Sequence, residues 1–199
     1  MNNFIRSTTK ILCTLLLVIG FSNTWANNHT VQVATTNYTK ITKVANSQLT
    51  LNGAGIRTKL FVKVYTLGLY VPKKSNSAED LIAMIGPKLV EIHMLREVTA
   101  KKFIDALKDG LEDNNSEKVL DKLEPQIETL ENLMHKIGKV KEGDIIKLEF
   151  NPASGTQLIV NENKIDKPIA GGAEFYNALL NIWLGDDPVD SSLKKSLLG

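Results

Sequence analysis

LNGAGIRTKLFVKVYTLGLYV, residues 51–71, is rich in Thr, Val, Ile, Leu and Tyr and reads as strand. Within it, residues 59–71 form the longest apolar, β-branched run after the N-terminal segment, as expected of a central strand buried on much of both faces. Val71-Pro72 followed by Lys-Lys-Ser-Asn ends it. The stretch also carries Arg57, Lys63 and Tyr65. An arginine on an apolar sheet needs an anionic or carbonyl partner, because an unpaired buried guanidinium is costly. In an unbroken strand Arg57 and Tyr65, of equal parity, project from one face. A turn near Thr58 would remove that inference and leave Arg57 at a solvated hairpin tip, with Tyr65 as a core ring.

Downstream, Ser77 caps a short helix that Gly86-Pro87 stops, and residues 88–96 return to strand. Thr99 caps a helix whose Phe103, Ala106, Leu107, Gly110 and Leu111 form one amphipathic stripe. A second helical region opens at Ser116 and carries Leu123, Ile127, Leu130, Met134 and Ile137. Pro125 either kinks it or starts a new helix. Strands 145–150 and 156–160 then form an antiparallel meander. Gly171-Gly172 opens a core helix through Trp183, and residues 191–198 make a short terminal one. Strands, helices, strands and helices in that order favour an α+β fold, an antiparallel sheet with helices on one face.

Upstream, Arg6 and Lys10 precede an apolar run from Ile11 to Phe21, followed by Thr24-Trp25-Ala26. The run falls short of the roughly 20 residues that span a bilayer and suits a secretory signal cleaved after Ala26. The expected organisation is therefore a signal over 1–26, a flexible polar lead-in over 27–37 and one domain over 38–199, placed in the periplasm or secreted. The single cysteine, Cys13, lies inside the apolar run, so the exported chain offers no disulfide, thiolate ligand or cysteine nucleophile. Arg6 and Lys10 also account for the formal net charge of +2. The neutral remainder gives no electrostatic case for nucleic acid, and no later segment is long and apolar enough to span a membrane.

No cofactor or metal signature stands out. His29, His93 and His135 lack neighbours at zinc-ligand spacing. Gly53-Ala54-Gly55 is similar to a dinucleotide turn, but strand rather than helix follows it. Gly171-Gly172 could offer amides to an anion, though such glycines usually serve helix entry. The acidic residues between 112 and 131 read as a solvated face.

The segment resembles the start of the chalcone isomerase family. The likeness rests on Gly53-Ala54-Gly55-Ile56-Arg57 and on Phe61-Val62-Lys63 with Tyr65, Gly68 and Tyr70. It continues in order and pattern through strand 88–96, helix 100–110, the strand after Gly143-Asp144 and the helix closing at Gly185. The resemblance implies an antiparallel sheet, helices on one face and a ligand cleft between them. In the family's isomerases the motif arginine, here Arg57, stabilises an oxyanion, a role with physical sense for a fixed cation. This sequence departs from the rest of that set: the catalytic tyrosine aligns with Phe103, a lysine with Met94, an asparagine with Gly110 and the strand threonine with Tyr65. The family's fatty-acid-binding members use an arginine–tyrosine pair to hold a carboxylate. By that resemblance Arg57 and Tyr65 bind the headgroup, while Met94, Phe103, Leu107, Phe175 and Leu179 line the space for an acyl tail.

The expectation is an exported protein that binds a fatty acid or similar apolar carboxylate without turning it over. Its rivals are an isomerase acting on an enone-like substrate through Arg57, and a protein-interaction module with a vestigial cleft.

Overall fold

The computed structural model describes residues 29–199, so the expected signal over 1–26 lies outside the described residues. Strands β1 (Thr30–Val33) and β2 (Thr36–Thr39) form a small hairpin. Next come β3 (Ile41–Val44), β4 (Ser47–Lys59), β5 (Val62–Val71), α1 (Ala78–Ala83), β6 (Lys88–Met94) and β7 (Val98–Thr99). They are followed by α2 (Ala100–Asn114), α3 (Glu117–Ile137), β8 (Lys139–Val140), β9 (Ile145–Asn151), β10 (Gly155–Val160), β11 (Asn163–Lys164), α4 (Ala173–Leu184) and α5 (Ser191–Leu198). Seven strands pair antiparallel in the order β11-β10-β9-β6-β5-β4-β3.

The alternation of side chains along the central strands sorts residues into two cores. Leu67, Leu69 and Val71 of β5, Val90 and Ile92 of β6, and Ile146 and Leu148 of β9 face the helices and make the main core. Leu51, Tyr70 and Leu89 point the other way and meet Tyr38. The expected lead-in over 27–37 is therefore partly ordered as the β1–β2 hairpin. Tyr38 is fully buried, its hydroxyl donates to Thr66 Oγ1 at 2.8 Å, and Thr66 donates onward to Thr36 Oγ1 at 3.0 Å. Gly68 makes room for that ring: a Cβ there would sit 2.6 Å from Tyr38 Cδ1.

The single strand expected over 59–71 is instead the second arm of a hairpin. Lys59 pairs with Val62, and the turn is Leu60-Phe61. Their φ values, 48° and 66°, are both positive, the signature of the tight turn whose twist matches antiparallel strands. The caps at Ser77 and Thr99 form as expected, accepting from the amides of Asp80 and Lys102. Of the two outcomes open for Pro125, the helix continues through it: α3 is one element of 21 residues.

The terminal helix α5 lies against β4. Asp190 caps it by accepting from the amides of Ser192 and Leu193, and its other oxygen accepts from Thr58 N at 2.8 Å. At the far end Asn52 Nδ2 donates to Leu197 O at 2.6 Å. Gly53 and Gly55 permit this approach, since a Cβ on Gly53 would stand 2.2 Å from Ser196 O. Both glycines of the G-A-G-I-R motif thus serve helix docking.

Candidate functional site

Arg57 sits near the end of β4, directly opposite Tyr65 on β5, and Tyr65 is in turn opposite Met94 on β6. Directly paired residues project from the same face. The three side chains therefore form one row across the sheet, on the face that carries the helices. Arg57 and Tyr65 do meet on one face, but through cross-strand pairing and not through parity along a single strand. A bulge follows at once, because Thr58 pairs with Lys63 and leaves Val64 as the extra residue. That irregularity releases Thr58 N for its bond to Asp190.

The guanidinium carbon of Arg57 lies 5.7 Å from the centroid of the Tyr65 ring, within cation–π range. Arg57 Nε is buried and has no hydrogen-bond partner. Among the described residues Arg57 also enters no ion pair. Leaving such a donor unmet costs about 1–3 kcal/mol, and more for a charged group. Tyr65 Oη accepts from Trp183 Nε1 at 2.9 Å, which leaves the phenolic proton free to be donated. Burial pushes the Tyr65 pKa up to about 12, against the opposing pull of Arg57 and of the Trp183 hydrogen bond. At neutral pH the group is a neutral donor.

The row borders a cavity between sheet and helices that is partly open to solvent. Its floor is Ile92, Ile146, Leu148 and Leu158 of the sheet. Phe103 and Leu107 of α2 form one wall, and Leu130, Met134 and Ile137 of α3 another. Lys102 and Lys139, both exposed, mark the rim. Among the described residues, no aspartate, glutamate or histidine lines this space. Nor do the described residues hold a cluster of His, Cys, Asp or Glu suited to a metal ion.

Five of the seven expected site residues come together here: Arg57, Tyr65, Met94, Phe103 and Leu107. Phe175 and Leu179 do not. Both are about 1 % exposed within the main core, and the C-terminal end of α4 reaches the cavity in their place, through Ile182 and Trp183. Trp183 falls on the same helical stripe as Phe175 and Leu179, so periodicity marked the helical face that meets the cavity but not the level along the helix at which it does so. The wall supplied by α3 was also missed, although Leu130, Met134 and Ile137 carry its apolar spacing. Gly110, aligned with an asparagine of the isomerases, does not line the cavity. A Cβ on it would lie 2.9 Å from Ile182 Cγ2, so it serves the packing of α2 on α4.

A family model described as chalcone isomerase-like matches residues 30–199. No curated protein matches the chain by sequence. Among solved structures, the crystal structure of a fatty-acid binding protein from Arabidopsis thaliana is similar at a TM-score of 0.64 and 14% identity. The alignment covers 85% of this chain and 95% of that one. At such identity the likeness speaks for the fold.

Proposed function

The chain belongs to the chalcone isomerase-like family, and from that premise we propose that it is an exported, non-catalytic binder of a fatty acid or similar apolar carboxylate. The observation that carries the proposal is the unmet Arg57 Nε, with its guanidinium by the Tyr65 ring, at one side of a cavity whose remaining lining is apolar apart from Tyr65 and the rim lysines Lys102 and Lys139. A carboxylate there gains a charge-assisted hydrogen bond from the guanidinium and a second bond from the phenol. The alkyl chain would extend between Phe103, Leu107 and Met134 toward the sheet floor, each buried methylene contributing about 0.8 kcal/mol.

Binding is favoured over turnover by the composition of the lining. Closure of a phenolate onto an enone needs a group that holds or moves a proton, and the positions aligned with the family's polar residues are Met94, Phe103 and Gly110. Tyr65 stays protonated at neutral pH and so donates rather than abstracts. The fatty-acid binding protein of the same fold supports this direction by analogy. Native mass spectrometry of protein purified from its producing cell tests the reading. A co-purifying acyl ligand in the wild type, lost in Arg57→Ala, is expected. An empty wild type that takes up no long-chain acid would overturn it, and chalcone turnover dependent on Arg57 would favour the isomerase.

A further inference from the structure

The tip of the β4–β5 hairpin is built from the wrong residues for a solvent-exposed turn. Leu60 is 85% exposed and Phe61 100%, and Val62 beside them is 42% exposed. Both turn residues hold positive φ, a conformation that asparagine and glycine adopt readily and that bulky side chains resist. The turn geometry does not demand these residues. The β10–β11 hairpin in the same chain has a two-residue turn with positive φ at both positions and fills it with Asn161-Glu162, both exposed. Strained backbone and unburied apolar surface together mark a functional element and not a packing one.

The tip also protrudes. Residues 58–63 are all exposed, and β6 accompanies β5 only as far as Tyr65, opposite Met94. Lys59 and Lys63 flank the apolar residues, and neither enters an ion pair among the described residues. Exposed Lys102, equally unpaired, lies on the cavity rim. A convex apolar wedge collared by free cations complements one surface above others, a bilayer with anionic headgroups: aromatic and aliphatic side chains enter the interface while lysines stay at headgroup level.

The geometry points to the Leu60-Phe61 tip as a membrane-docking wedge for anionic lipid surfaces. It does not rest on what fills the cavity, although Arg57 and Val64 flank the tip and line that cavity, so docking would bring the opening toward the bilayer.

The test is co-flotation of the protein with vesicles of phosphatidylcholine, with and without phosphatidylglycerol. The wild type should float with the anionic vesicles, and raised salt should weaken binding. Leu60→Asn with Phe61→Gly installs the preferred turn residues, so it should fold with an unchanged or higher melting temperature while losing at least tenfold in vesicle affinity. Lys59→Gln with Lys63→Gln should lose the preference for anionic lipid. Phe61→Trp adds a reporter at the tip, and its emission, after subtraction of the wild-type signal from Trp183 and the N-terminal segment, should shift to the blue on vesicles. A wild type that stays unbound, a tip variant that floats equally well, or an emission from the Phe61→Trp variant that vesicles leave unshifted would each overturn the proposal. So would a concentration-dependent dimer abolished by the tip variant in a protein that ignores vesicles.

Discussion

Arg57 and Tyr65 face each other directly across β4 and β5, with the guanidinium carbon 5.7 Å from the ring centroid. The ring supports the cation while the phenol is itself held by Trp183 at 2.9 Å. Tyr65→Phe separates these duties, because the ring remains and the oxygen goes. Trp183 Nε1 then loses its acceptor in a buried place, so stability should fall by about 1–2 kcal/mol. Binding of a long-chain acid should weaken several-fold. Urea denaturation and a fluorescent fatty-acid displacement assay read the two effects separately.

The main core and the cavity share helices, yet Phe175 belongs to the first alone and Phe103 to the wall of the second. Phe175→Ala empties a fully buried site and should cost about 3–5 kcal/mol, with little change in acid affinity for the molecules that remain folded. Phe103→Ala, at a half-buried cavity wall, should do the reverse: a smaller loss of stability and a clear loss of affinity. Denaturation midpoints alongside dissociation constants decide this.

The docking of α5 on β4 predicts unequal tolerance of two glycines. Gly53→Ala drives a methyl group into the backbone oxygen of Ser196, which cannot yield without moving the helix. Its cost should be about 1–3 kcal/mol. Gly110→Ala meets only side chains, Ile182 first among them, which can turn aside, so it should cost less. Urea unfolding of both variants gives the comparison.

Lys88 is fully buried on β6, donating to Ile82 O at 2.5 Å and to Asn177 Oδ1 at 3.2 Å. Burial lowers its pKa from 10.5 to about 8. Below pH 8 the amine is protonated in both folded and unfolded chains, and its desolvation counts fully against the fold. As pH climbs from 8 toward 10.5 the unfolded chain holds the proton more tightly, so stability should rise across that window. Lys88→Met should flatten the rise. Denaturation midpoints measured at intervals through the window check the sign.

Much of the architecture was legible because it follows from local chemistry. Ser77 and Thr99 cap their helices as their hydroxyls dictate, and the 145–160 meander pairs as alternation requires. Less legible was what depends on contacts distant in sequence. Leu60-Phe61 continues an apolar run, and only the pairing of Lys59 with Val62 reveals a turn whose residues local propensity argues against. Tyr38 belongs to a polar segment whose burial depends on Gly68 and Thr66 across the sheet. In the site, Arg57 and Tyr65 were found by their cost in apolar surroundings and by resemblance. Trp183 was passed over because periodicity identifies a helical face and not the level along it that meets the cavity.

Recognition of a carboxylate by Arg57 at one side of the cavity is tested most directly by titration calorimetry with dodecanoate and dodecanol. The two ligands share a tail and differ in the charged headgroup. The wild type should bind the acid at least about tenfold more tightly, as one charge-assisted hydrogen bond supplies, and Arg57→Met should bind both alike. Equal affinities in the wild type, or no binding of the acid at all, would contradict it.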